Sequence, residues 1–74
     1  MIRTKEIAEA AIFYLNGFEM NAYDNKYWQF DGDEGKADKL QIDLINKKLS
    51  VEPLEFMDAI RRVKSFSNGM KLKK

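Results

Sequence analysis

The chain has 74 residues, 45% of them hydrophobic and 34% charged, and its 13 basic and 12 acidic side chains leave a net charge of +1. That length admits one small domain, and a domain of this size buries only about 60% of the surface its unfolded chain exposes. With no cysteine and no histidine, disulfides, thiolate clusters, the commonest general base and the commonest transition-metal ligand are excluded. No run approaches the ~18 apolar residues of a membrane span. The opening Met1-Ile2-Arg3-Thr4-Lys5-Glu6 does not lead into the apolar core of a signal peptide. The expectation is a soluble, cytoplasmic domain that needs no cofactor.

A helix is predicted over residues 4–16. Ile7, Ala8, Ala11, Ile12 and Leu15 recur at helical spacing. Thr4 can cap the start, and Glu6 and Glu9 suit the positive end of the dipole. Gly17 can take the left-handed conformation that ends a helix. Phe13 and Tyr14 flank the stripe.

From Phe18 the period changes to two. Phe18, Met20 and Ala22 alternate with Glu19, Asn21 and Tyr23, and Trp28 and Phe30 alternate with Tyr27, Gln29 and Asp31. Two half-buried strands in a hairpin follow. A two-residue loop at Asp24-Asn25 would set Asn21 opposite Trp28 and mix the faces. A three-residue loop, Asp24-Asn25-Lys26, pairs Ala22 with Trp28 and Met20 with Phe30, which leaves Tyr23 and Tyr27 facing each other on the polar side.

Asp31-Gly32-Asp33-Glu34-Gly35 is the turn out of the hairpin. A second helix is predicted over 36–49, with Ala37, Leu40, Leu44 and Ile45 inward and Ile42 on the flank. Ser50-Val51-Glu52 breaks the chain, and Pro53 suits the first position of a third helix. Leu54, Phe56, Met57, Ile60 and Val63 form its apolar face, and Ser67-Asn68-Gly69 stops it beyond Phe66. The fold class is therefore α+β: a single two-stranded antiparallel hairpin packed against three helices in the order α-β-β-α-α. One domain spans residues 1–69, with a flexible basic tail over 70–74. The expected core is Ile7, Ala11, Leu15, Phe18, Met20, Trp28, Phe30, Leu40, Leu44, Phe56, Ile60 and Val63.

Chemistry has few footholds here. Asp31, Asp33, Glu34 and Asp38 are close together, and Asp31-x-Asp33 has the opening of a calcium loop. The fifth position of such a loop is Gly35, the sixth Lys36 and the twelfth Ile42, none of which meets the ligand pattern. Gly32 and Gly35 lack the Lys-Ser/Thr pair of a phosphate loop. Ser50, Ser65 and Ser67 have no imidazole to activate them. A chain this short also has little room for a ligand pocket of about 300 Å³ or more. The expectation is no catalytic residue, no metal and no cofactor, so no enzyme.

Two surfaces remain. From Ala59 onward the chain carries Arg61, Arg62, Lys64, Lys71, Lys73 and Lys74 and no acid, a charge of +6, while the first 58 residues hold seven basic and twelve acidic side chains, −5. Arg61, Arg62 and Lys64 could meet phosphates. They would equally complement the helix dipole and keep a small protein in solution. Tyr23 and Tyr27, ringed by Glu19, Asn21, Gln29 and Asp31, suit a protein interface, or form a cross-strand pair that stiffens the hairpin.

The run from Ile2-Arg3-Thr4-Lys5-Glu6-Ile7 through Phe13-Tyr14-Leu15-Asn16-Gly17-Phe18-Glu19 resembles the opening of a small domain family of phages and prokaryotes that has no established activity. The aromatic second strand ending at Phe30-Asp31, Val51-Glu52-Pro53-Leu54-Glu55-Phe56 and Arg61-Arg62-Val63-Lys64 extend the likeness over residues 2–66. The resemblance implies a phage or mobile-element source and a stand-alone small protein. It supplies no site residue.

The leading expectation is a non-enzymatic binding or regulatory protein acting through protein–protein contacts on a host factor or on itself. The alternative is a nucleic-acid-binding accessory protein, and a third reading is a self-associating module. A homodimer is expected, with its seam at the hairpin's free edge or at Phe13 and Tyr14.

Overall fold

The observed architecture departs from the expected order at the chain's opening. In the computed structural model, which describes residues 2–72, Ile2–Thr4 is a strand, β1, so Thr4 ends a strand instead of starting the helix. Helix α1 (Ile7–Leu15), strands β2 (Glu19–Asp24) and β3 (Tyr27–Asp31), helix α2 (Glu34–Ile45) and helix α3 (Pro53–Leu72) follow. The α+β class holds, but the lone hairpin is corrected to a three-stranded antiparallel sheet in the order β1-β3-β2. β1 pairs with β3, setting Ile2 opposite Phe30, Arg3 opposite Gln29 and Thr4 opposite Trp28. Ile2 and Thr4 are buried and Arg3 is exposed. Three residues carry too few alternations to mark a strand without that neighbour.

Thr4 does accept a backbone amide, that of Glu6 at 3.1 Å. Glu6, however, holds the N-cap position of α1 and makes no side-chain capping bond, so the Thr4 hydroxyl closes the turn between β1 and α1. The far end of α1 behaves as expected. Gly17 adopts φ +85°, its amide donates to the Tyr14 carbonyl at 3.2 Å, and the Phe18 amide donates to the Phe13 carbonyl at 3.1 Å. These are the two bonds of a Schellman ending, which is usually accompanied by an apolar contact between the same two outer residues. Here that contact is aromatic, with the Phe13 and Phe18 rings 5.3 Å apart. Phe13 also meets Phe30 edge-on at 5.4 Å and is wholly buried, 0% exposed. It is a core residue, so its expected place in a dimer seam is overturned.

The hairpin turn is shorter than expected. Asn25 and Lys26 both have positive φ, 52° and 70°, the requirement of the two-residue turn whose twist matches that of the strands. Asp24 then pairs with Tyr27, Tyr23 with Trp28 and Ala22 with Gln29. Continued without a break, this register would turn Asn21 onto Phe30 and into the core. An irregularity between Met20 and Ala22 absorbs one residue, and Met20 returns to its place opposite Phe30. The Met20–Phe30 pairing is as expected; the Ala22–Trp28 pairing is not.

Asp33 starts α2, its Oδ1 accepting from the Gly35 amide at 2.8 Å and the Lys36 amide at 3.3 Å. The acidic turn is thus partly a helix cap. Ala37 and Leu40 are buried, and Gln41 Nε2 donates to Glu9 Oε1 of α1 at 3.0 Å. Pro53 opens α3 as expected, and the Glu52 carboxylate accepts from the Glu55 amide at 2.7 Å. The expected stop at Ser67-Asn68-Gly69 does not occur. Ser67 is buried with its hydroxyl donating to the Lys64 carbonyl at 2.9 Å, and α3 continues to Leu72. Lys73 and Lys74 of the expected tail lie outside the described residues.

The inner face of the sheet, α1 and α3 enclose the core, and α1 packs most extensively on α3. Ala11, Phe18, Trp28, Phe30, Leu40 and Val63 are buried as expected, joined by Ile2, Ala10, Ile12, Phe13, Ala37 and Ala59. Ile7, Met20 and Phe56 pack against this cluster while partly exposed. Leu15, Leu44 and Ile60 are likewise only half-buried.

Two outcomes follow from the turns. Helix α2 ends with Lys47 at φ 57°, where its amide donates to the Leu44 carbonyl at 3.1 Å and the Lys48 amide to the Asp43 carbonyl at 2.8 Å. This is the same ending as in α1, with lysine where glycine fits best. Lys47→Gly should stabilise the protein by about 0.5–1 kcal/mol, net of glycine's greater unfolded-state freedom, read as a higher midpoint in urea. At Gly32 a Cβ would lie 2.6 Å from Phe18 Cε2. Gly32→Ala should therefore displace the buried ring and destabilise by about 1–3 kcal/mol in the same assay.

Candidate functional site

The expected tyrosine face is divided by the register. Residues directly opposite in an antiparallel pair share a face, so Tyr23 lies on the inner side with Trp28, their rings 5.0 Å apart. Tyr27 lies on the outer side, level with Asp24. The cross-strand Tyr23–Tyr27 pair is not formed. Instead the Arg3 guanidinium of β1 sits 4.6 Å from the centre of the Tyr27 ring, a cation–π contact contributed by the strand that periodicity did not reveal. Gln29 shares the outer face between Arg3 and Ala22, and Glu19 and Asp31 face each other at its end. Asn21 is exposed at the irregularity. The outer face is therefore a polar sheet surface with one half-buried tyrosine.

The basic residues of α3 are partly committed. Arg61, Arg62 and Lys64 are exposed, but Arg62 Nε donates to Asp58 Oδ2 at 2.8 Å. That hydrogen bond and the Asp58 charge, with a smaller contribution from Tyr14, hold the guanidinium above its ordinary pKa. Arg61 and Lys64 lie three apart and share a helix face.

No group of three or more Asp or Glu side chains among the described residues could hold a metal ion. A groove of about 700 Å³ lies between the end of α1, the start of β2 and α3, walled by Tyr14, Leu15, Phe18, Met20 and Phe66, with Glu19 its one carboxylate. The expectation of little room for a ligand-sized hollow is corrected in volume. The groove is wide open to solvent, and a lone carboxylate in it defines no reaction.

The surface that periodicity misassigned is apolar. Ile45 is 77% exposed and Leu54 73%, and Ile42, Val51 and Met57 are exposed as well. Ile45, expected inward, and Leu54 and Met57, expected on the core face of α3, all point to water. At 3.6 residues per turn, Phe56, Ala59 and Val63 take one side of α3 while Leu54, Met57, Arg61 and Lys64 take the opposite side. Ile42 and Ile45 are likewise one turn apart on α2. The loop over 46–52 joins the two pairs, and Leu49 within it packs on the core. A helical wheel of α3 alone shows both apolar sides. Which of them turns inward follows from the packing of α3 on α1 and from the hydrogen bond of Trp28 Nε1 to the Val63 carbonyl.

No family model matches the chain, and no curated protein or solved structure matches it either. No helix among the described residues is long and apolar enough to cross a membrane.

Like charges set directly opposite across two strands destabilise a sheet, and Glu19 faces Asp31 in this way. Glu19→Lys should stabilise the protein by about 0.2–1 kcal/mol, and the gain should shrink when the urea titration is repeated at high salt.

Proposed function

We propose that this chain is a small non-enzymatic binding protein that acts through protein–protein contacts, and that the apolar residues on either side of the α2–α3 loop are its contact surface. The observation that carries this reading is the exposure of Ile45 and Leu54, 77% and 73%, on helices whose other sides already pack in the core. Scattered single apolar residues are normal on a surface, whereas clustered ones rimmed by charge mark interaction sites. The outer face of the sheet, with Tyr27, Glu19, Asn21, Gln29 and Asp31, is the weaker candidate because Tyr23 turns to the other side.

A second reading, a nucleic-acid-binding accessory protein, is favoured by Arg61 and Lys64, both exposed and aligned on the outer side of α3. Arg62 contributes less to it, being held by Asp58.

The two readings separate in one experiment. The tagged chain is crosslinked in a cell lysate and the captured protein and nucleic acid are measured for wild type, for Ile45→Asp with Leu54→Asp, and for Arg61→Ala with Lys64→Ala. All the substituted side chains are exposed, so circular dichroism should be unchanged. A hot-spot residue typically contributes about 2 kcal/mol or more, so protein capture should collapse in the first variant and persist in the second. Loss in the second alone, with steep salt dependence, would favour the nucleic-acid reading.

A further inference from the structure

We infer that the partner of this apolar surface is a second copy of the chain, the end of α2 in each protomer docking on the start of α3 in the other about a two-fold axis. The inference rests on the binding reading above and adds the occupant.

Charge selects the occupant. On the α2 side, Ile45 is followed by the exposed lysines Lys47 and Lys48, and no acid intervenes before Glu52. Earlier on α2, Asp43 between Ile42 and Ile45 is half-buried, and Asp38 and Lys39, about two turns before Ile45, offset each other. On the α3 side, Leu54 and Met57 stand among the exposed carboxylates Glu52, Glu55 and Asp58, the last already held by Arg62. The basic residues of α3 begin only at Arg61, a full turn beyond Met57. The end of α2 and the loop after it are therefore net basic and the start of α3 is acidic, each beside two large apolar side chains.

In a two-fold interface, residue i of one chain meeting residue j of the other requires j to meet i. A surface with two oppositely charged halves is its own complement under that operation. Lys47 and Lys48 of each protomer would face Glu52 and Glu55 of its partner, twice over, with Ile42 and Ile45 against Leu54 and Met57 between them. An unrelated partner would need both halves in mirror order.

Size agrees. A standard interface takes about 800 Å² from each side, arranged as an apolar centre within a polar rim. The four aliphatic side chains and Val51 supply such a centre, and the lysines and glutamates the rim.

Sedimentation of the full chain across the micromolar range should show a reversible monomer–dimer equilibrium. Leu54→Asp, at a site where folding needs no apolar side chain, should weaken the dimer by roughly thirtyfold or more while leaving circular dichroism intact. Lys48→Glu and Glu55→Lys should each weaken self-association, and an equimolar mixture of those two variants should recover a one-to-one dimer, because only the mixed pair restores opposite charges at the rim.

A wild type that stays monomeric, a dimer indifferent to Leu54→Asp, or a mixture no tighter than its components would overturn the inference. If the chain stays monomeric yet captures another protein through Ile45 and Leu54, the self-partner is wrong and the binding reading stands. If it neither dimerises nor captures protein through these residues, both fail.

Discussion

The sheet and the helices meet at one buried hydrogen bond, from Trp28 Nε1 to the Val63 carbonyl at 3.2 Å. A carbonyl inside a helix already accepts the amide four residues on, and its second lone pair is what the indole uses. Both residues are buried, so losing the bond would strand a donor in the core at a cost of about 1–3 kcal/mol, a large share of what so small a domain holds. Its position gives it reach. Trp28 is on the central strand and Val63 lies midway along the longest helix, so the bond, together with the packing of α3 on α1, fixes how α3 lies on the core. Phe56 and Ala59 are then placed toward the core and Leu54 and Met57 away from it.

A second constraint works at the other end of the central strand. Gly17 lets the chain leave α1 with the Phe13 and Phe18 rings in contact, and Phe13 carries that contact on to Phe30. Gly32 then passes close beneath the Phe18 ring. One helix ending, one strand and one turn are thereby joined by three aromatic rings. This is an efficient use of few residues in a domain where the surface-to-volume ratio is unfavourable. No buried side-chain nitrogen or oxygen among the described residues lacks a hydrogen-bond partner, so no desolvated polar group subtracts from the gain.

Local chemistry was readable from the sequence where a single residue decides the conformation, as at Gly17 and Pro53. It was misleading where two local rules conflict. Keeping the large apolar residues on one face argues for a three-residue loop, yet strand twist favours the two-residue turn, and the irregularity between Met20 and Ala22 lets the twist prevail. That choice moved Tyr23 to the inner face and dissolved the expected tyrosine surface. Ser67-Asn68-Gly69 reads as a stop, but Ser67 bonds to its own helix and is buried beside the core, so tertiary packing carries α3 onward. β1 was hidden because its only signal is a neighbour many residues away. Read as one apolar face, Leu54, Phe56, Met57, Ile60 and Val63 merged the two apolar sides of α3, and the candidate surface lies on the side that points to water.

That two-sidedness links fold to function. A helix whose apolar residues surround it is stable when both sides are covered, and in this chain α1 and the sheet cover one side of α3. The opening half of α3 places Phe56 and Ala59 against the core and Leu54 and Met57 against water, while α2 does the same with Leu40 and Ile42. Replacing the outer four with lysine or glutamate would serve solubility and cost the core nothing, since none of the four is buried in it. Their exposure on either side of the α2–α3 loop, near Lys47, Lys48, Glu52 and Glu55, leaves this part of the domain a half-built core. Binding there supplies the missing layer, so association and the completion of this small fold draw on the same burial of apolar surface.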